Sequence, residues 1–339
     1  MKVETDRPIR KEEQYLNYKL NHINFMPKSW FFIGHEKKYR HGIHKISIQN
    51  KNIVIYKDSS GKFIGLSANC SHMNADLSYG TIKDNCLTCP MHGISYDSEG
   101  KCSNRVNNKL QLPKYFIKNF MGLLFIFLEK NPRFNIPFFK NENIDEFIVG
   151  NPVSMKADAP WYFVSGNGFD LSHFEFVHQR KTFKKAFTDF NQLNSCEIKH
   201  FLKNKGQSVR DKFIKLLYGK EVILEYQVYA GNIILAKSTI GSFSNYMYMV
   251  LNPINQKECM IHIIPLQKKK NFFFDIVARF KLLVTRVFIK EFFLEEINII
   301  KDLSTSNYTY IESDKTLIKY FNWLNNINKN LNSGTLYEH

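Results

Sequence analysis

Long apolar runs are missing from this 339-residue chain. A membrane helix needs roughly 18 or more uncharged apolar residues in a row. The nearest stretch, 272–294, is interrupted by Asp275, Arg279, Lys281, Arg286 and Lys290, and each such charge costs about 2.5–3.5 kcal/mol at a bilayer centre. It reads as an amphipathic helix, with no transmembrane segment but with room for a peripheral membrane contact. The opening residues MKVETDRPIRKEEQ lack the apolar core of a secretory signal, so the expected location is cytoplasmic. Cysteine is sparse, with six in all. A chain able to bury its own core does not need them as disulfides, and in a reducing compartment clustered cysteines suggest metal. No GxGxxG-type or flavin motif is present, so any nicotinamide or flavin chemistry has to come from a separate protein. There is also no repeat and no basic arm. The 47 Lys and Arg against 31 Asp and Glu give a net charge of +16, spread along the chain with one triple at 268–270. That pattern argues against nucleic acid and for an anionic surface or an acidic protein partner.

Apolar residues are plentiful: 44% of the chain, including 30 Phe and 17 Tyr. This fills a sizeable core, and the length suggests two domains. Residues 1–27 are polar and read as helical. From Trp30 the texture becomes short β-like runs (WFFIG, IHKISIQ, NIVIYKD, KFIGLSA), separated by turn signals such as Asp58-Ser-Ser-Gly61, and GLLFIFLE at 122–129 closes the region. Residues 131–145, with two prolines, read as a linker. Beyond it, Trp161 to about His178 looks helical, 221–265 alternates as strands do, and 273–301 repeats apolar positions at helical spacing. The expected fold class is α+β: a small all-β domain, then an α+β domain.

Two short segments carry metal-ligand chemistry. Cys70-Ser-His72 and Cys89-Pro-Met-His92-Gly give the pattern C-x-H-x16-C-x2-H-G. Two thiolates can hold one iron of a [2Fe–2S] cluster and two imidazoles the other, and neutral imidazole raises the reduction potential. A Cys2His2 zinc site uses the same atoms, but zinc fingers usually pair Cys with Cys and His with His. Absence of sulfide and of a visible chromophore would mark that zinc-bearing alternative.

Residues 28–130 resemble the Rieske domain of the Rieske non-haem iron oxygenases, the family that includes ring-hydroxylating dioxygenases and Rieske monooxygenases and demethylases. CSHMNADLSYG and CPMHGISYDSEGKC look like that family's two cluster loops. The resemblance makes Cys70, His72, Cys89 and His92 the cluster ligands and leaves Cys86 and Cys102 as spectators. It implies a Rieske domain at 28–132, a helix-grip-like catalytic domain with a mostly antiparallel sheet at 133–339, and an N-terminal segment 1–27 packing on that second domain.

Downstream, Asp170, His173 and His178 fit D-x2-H-x4-H. Two imidazoles and one carboxylate leave positions of an iron(II) open for O₂. Residues five apart lie roughly 140° apart on a regular α-helix, so sharing a metal demands an irregularity between His173 and His178. By resemblance these two are iron ligands. Asp170 is the bridging carboxylate, bonding the ring of His173 and His92 of the partner subunit in a homotrimer, and Asn167 is a polar residue beside the iron. The third ligand in the family is usually an Asp followed by alternating aliphatics. Here Glu296 stands in that place, before Ile297, Ile299 and Ile300, with Glu295 and Asp302 as rivals.

The function this implies is an oxygenase component. It would use O₂ and electrons from a separate NAD(P)H-dependent reductase, a ferredoxin, or both, to hydroxylate or oxidatively dealkylate a small organic substrate. The N-x2-D-x2-H-x4-H pattern sits nearer the demethylase branch. The alternative is a Rieske electron-transfer protein without oxygenase activity. The substrate is not legible.

Overall fold

A computed structural model of the chain describes residues 15–16, 23–104, 110–204, 221–301 and 309–332. The first half is built on a six-stranded antiparallel sheet in the order Trp30–His35, Leu123–Phe127, Lys114–Phe120, Phe63–Ser67, Lys51–Lys57, His44–Ile48. Its runs of Ile, Val, Phe and Tyr suit a pleated, buried surface. The strand Lys51–Lys57 is buried on both faces, and the two-residue period sorts its side chains. Ile53 and Ile55 join one apolar cluster with Phe31, Tyr39 and Leu124, while Val54 and Tyr56 join another with Leu66, Leu77, Leu87 and Tyr96. The second cluster lies under a three-stranded sheet, Thr81–Lys83, Cys86–Thr88 and Ser95–Tyr96, whose flanking loops carry the Cys/His pairs.

The second half is a larger antiparallel sheet, ordered Phe147–Val149, Cys259–Lys268, Phe243–Pro253, Ile233–Ile240, Glu221–Tyr229, Ser195–Asn204, Arg180–Asp189, with Val153–Ala157 also paired to Cys259–Lys268. Among the described residues four helices accompany it: α1 (Trp161–Gly166), α2 (Leu171–Phe176), α3 (Phe272–Ile300) and α4 (Lys315–Asn332). Asn271 caps α3 by accepting from the Phe274 N–H, with Asp275 in the first turn, as the partial positive charge of a helix start favours.

The largest apolar cluster crosses from one half to the other. Trp30, Phe32, Phe125 and Phe127 of the first sheet pack with Tyr248, Val250 and Ile261 of the second. Two buried asparagines lock the seam: Asn232 donates to the Trp30 carbonyl at 3.1 Å and Asn252 to the Phe32 carbonyl at 2.7 Å. Residues 131–145 bridge the halves without strand structure but are more than a linker. Phe134, Ile136 and Phe139 are buried in the shared core, and the Trp30 indole donates to the Phe134 carbonyl at 2.9 Å. Their prolines prevent ladder pairing, not burial.

The helical expectation for 1–27 falls mostly outside the described residues. Within them, Tyr15–Leu16 is extended and pairs antiparallel with Tyr310–Ile311, and 23–27 has no regular structure. Among the described residues no helix is long and apolar enough to cross a membrane.

Candidate metal centres

The two Cys/His loops are closed in the same way. The Cys70 N–H donates to the Ala75 carbonyl and the Asn74 N–H returns to the Cys70 carbonyl, both at 2.9 Å. In the other loop the Cys89 N–H donates to Ile94 at 2.8 Å and the Gly93 N–H to Cys89 at 3.1 Å. The residue four after each cysteine is left-handed, Asn74 at φ 60° and Gly93 at φ 65°, a conformation open to Asn and Gly. Each loop thus buries its thiol and lifts its imidazole: Cys70 and Cys89 are buried, His72 and His92 exposed, with the two rings 4.9 Å apart. The Tyr96 hydroxyl lies 3.1 Å from the Cys70 Sγ and 3.0 Å from the Ser71 hydroxyl. Burial, and then the neighbouring Cys70, push this phenol up to about 12, so it keeps its proton and can donate to sulfur. Two buried sulfurs facing two exposed imidazoles, on loops free of ladder bonds, fit a Rieske cluster. Hydrogen bonds to sulfur are among the features that tune such a cluster's potential.

The second centre begins where α1 ends. A short 3-10 turn, Asn167–Phe169, leads to Asp170, which caps α2. The irregularity demanded by the His173–His178 spacing takes the form of a helix end. α2 stops at Phe176, Val177 closes it on the His173 carbonyl, and the left-handed Gln179 (φ 52°) turns the chain away. Freed from helical phase, His178 swings back. Its Nε2 lies 3.1 Å from that of His173. Glu296, from the far end of α3, completes the group: Oε2 is 3.0 Å from His173 Nε2 and Oε1 is 2.9 Å from His178 Nε2. The ligand atoms of these three residues all lie within 4.8 Å of one another. Glu296 is only 5% exposed. Burial alone would raise its pKa, but the bonds from His173 and His178 outweigh burial and hold it down to about 2. A buried carboxylate and two ring nitrogens converging on one point fit a divalent cation, and this donor set with open positions fits non-haem iron(II).

Of the remaining expected residues, Asn167 joins the group, its Nδ2 donating to Glu296 Oε2 at 2.8 Å and lying 3.2 Å from His173 Nε2. Asp170 behaves differently from expectation within the chain. Its Oδ1 accepts from the backbone N–H groups of Ser172 and His173, at 3.0 and 3.1 Å, instead of from the His173 ring. A helix start needs such an acceptor, and an Asp in extended backbone supplies it. Glu295 is exposed, facing outward from Glu296, and Asp302 lies outside the described residues.

Several supporting residues were not singled out from sequence. Phe292, one turn before Glu296, stacks on the His178 ring at 4.9 Å, and that i, i+4 relation was a usable signal. Buried His200 donates to the Gly168 carbonyl at 2.7 Å and packs on Phe174. Burial lowers its pKa to about 4, so it stays neutral. Its contacts join distant segments and leave no local pattern to read. A cavity of about 130 Å³ adjoins the group, lined by Leu224, Ala236, Met247, Met249, Ile261 and Phe293 among others. A hollow of about 380 Å³ shares Phe174, His178, Leu224 and Phe292 with it and reaches the exposed Gln179 and Glu295.

A Rieske-like domain thus stands in one chain with a buried two-histidine, one-carboxylate group. Residues 29–116 match the Rieske [2Fe-2S] domain, and the chain carries that domain. Its sequence aligns with Rieske-type oxygenases and demethylases. It is 25% identical over 235 residues to the oxygenase component of 3-ketosteroid-9-alpha-monooxygenase from Rhodococcus rhodochrous, covering 65% of this chain and 59% of that protein. It is 26% identical over 162 residues to cholesterol 7-desaturase nvd 1 of Ciona intestinalis, covering 45% and 34%. The alignments thus span between a third and three-fifths of these relatives' lengths. The fold matches that of NdmB from Pseudomonas putida CBB5 with a TM-score of 0.63 at 16% identity, over 88% of this chain and 89% of the other.

Proposed function

We propose that this protein is an oxygenase component that inserts oxygen into, or oxidatively dealkylates, a small apolar organic substrate. The convergence of His173, His178 and Glu296 behind a Rieske domain carries the reading. A pure electron carrier has no use for that buried group. In the proposal Cys70, His72, Cys89 and His92 hold the cluster, and His173, His178 and Glu296 hold the iron. Bound there, the cluster would supply stored electrons and the iron would bind and reduce O₂.

The chain's own residues do the rest. Glu296 enters the site as an anion, and Asn167 fixes its rotamer through Oε2. Phe292 holds the plane of His178. Leu224, Met247, Met249 and Ile261 exclude water and give no charged anchor, so the cavity selects an uncharged, apolar molecule. The desaturase and monooxygenase relatives are named for sterols and ketosteroids, molecules of that kind. Electrons come from a separate NAD(P)H-dependent reductase or a ferredoxin, whose acidic surface would suit the +16 charge. Delivery crosses to another subunit of a homotrimer, with Asp170, half-buried three residues before His173, meeting the exposed His92 of the partner subunit.

Iron and sulfide analysis with EPR of the reduced protein tests the metal content, and NAD(P)H consumption coupled to product formation, with a reductase added, tests the activity. We expect three irons and two sulfides per chain. Two irons per chain with no oxygen-coupled turnover would return the reading to an electron carrier.

A further inference from the structure

Helix α3 is apolar on two opposite sides. One side carries Ala278, Leu282, Ile289, Ile297 and Ile300, all buried against the protein. The other carries Ile276, Phe280, Leu283 and Val287, which are 54, 69, 55 and 59% exposed. Steps of four, three and four residues stack these four side chains into one outward stripe. Val277 and Val284 widen it, at 49 and 40% exposed. Contiguous exposed apolar patches of this kind mark interaction sites.

The charges beside the stripe say what covers it. Arg279, Arg286 and Lys290, at steps of seven and four, run along one edge. None makes an ion pair among the described residues. The acidic residues of α3 stand elsewhere: Asp275 accepts from the Lys270 N–H at the helix start, Glu291 and Glu295 lie beyond the last residue of the stripe, and Glu296 is buried in the metal centre. A second copy on this face would bring two rows of Arg and Lys together on two chains of +16 each. An anionic surface meets the same row favourably.

We infer that the Phe272–Lys290 part of α3 lies flat on an anionic lipid bilayer. Phe280, Leu283 and Val287 would enter the acyl boundary, and Arg279, Arg286 and Lys290 would meet the lipid phosphates. The contact is peripheral, because the buried side of the same helix stays on the protein.

Co-sedimentation of the full chain with phosphatidylcholine vesicles, with and without phosphatidylserine, tests this without any turnover. Its failure would therefore leave the iron-site reading standing. We expect the chain to pellet with the phosphatidylserine vesicles and to be released by salt. Phe280→Glu removes an exposed aromatic that would enter the acyl boundary and should weaken partitioning about ten- to a hundredfold. Arg286→Gln should weaken it about fivefold on anionic vesicles and leave neutral ones unchanged. Both positions face solvent, and circular dichroism checks that the variants fold. Equal binding to both vesicle types, or binding that Phe280→Glu leaves intact, overturns the inference. So does an absence of vesicle binding joined to an oligomer that Phe280→Glu dissociates in sedimentation velocity, which would mean that a second copy covers the stripe.

Discussion

The cluster loops draw all four of their side chains from the segment between Cys70 and His92, each loop closed by its own backbone bonds. The second centre joins Asn167 to Glu296 across 129 positions of sequence, and it exists only where a helix end, a strand start and the far turn of α3 meet. The first keeps its histidines exposed, where an electron can enter or leave. The second keeps its carboxylate buried, where water is scarce. A local site tolerates change elsewhere in the molecule, whereas a site assembled from distant segments inherits the stability of everything that packs between them.

The largest expected effects come from breaking each centre in turn. Cys89→Ala should remove the cluster, its visible absorption and its sulfide. His173→Ala should keep that absorption, lose one iron per chain and lower coupled turnover by more than about 100-fold, the upper range for losing a residue that only supports a ligand. If His173→Ala also bleached the cluster, the two centres would not be independently built. Asn167→Ala comes next. It should lower iron affinity or kcat/KM about 10- to 100-fold, because Glu296 keeps its charge but loses the donor that orients it. Iron titration with a competing chelator would read the change.

The same contrast explains what was legible in sequence. The cluster ligands and the pair His173 and His178 sit in short patterns whose chemistry depends on neighbours. Glu296 was harder, with Glu295 beside it. Helical phase separates them: Ile289, Phe293 and Ile300 occupy the inward face of α3 at steps of seven, three and four from Glu296, while Glu295 falls outside that face. The burial of 131–145 was misleading in sequence because prolines signal broken ladders and say nothing about where Phe134 and Phe139 point. The capping role of Asp170 was readable in principle from the helix that follows it. The strand residues around the cavity, Leu224, Met247 and Ile261, come together through pairing between strands far apart in sequence, and no local pattern records that.

Gly168 probes the packing beneath the second centre. A Cβ there would fall 2.4 Å from the Tyr226 ring, whose hydroxyl is fixed on the Ser165 carbonyl at 3.0 Å. Gly168→Ala must therefore displace a buried ring or the turn that carries Asn167. The expected cost is about 1–3 kcal/mol, seen as a lower thermal midpoint. Iron binding should weaken while the cluster spectrum stays the same. An equivalent glycine change in a cluster loop, Gly93→Ala, meets no atom within 4 Å and strains only its own left-handed backbone. Its effect should stay with the cluster.

The smallest effect lies where the two regions are tied. Glu142, in the segment between them, accepts from the Tyr246 hydroxyl at 2.8 Å and from Lys237 at 3.2 Å, and pairs with Lys268. Burial raises its pKa, but these three partners outweigh burial and leave it below the ordinary glutamate value of 4.5. A carboxyl held lower in the folded state than in the unfolded one binds fewer protons when folded. Its stabilisation is therefore fully present above pH 4.5 and fades as the pH falls through the folded value. Glu142→Gln should cost about 1–2 kcal/mol at neutral pH. The gap from the parent protein should narrow on acidification below pH 4.5. Urea midpoints at neutral and acid pH would measure both. A gap that held constant with pH would mean that Glu142 acts through its shape and not its charge. A loss confined to the second region's signals would show that the seam at Asn232 and Asn252 does not make the halves unfold together.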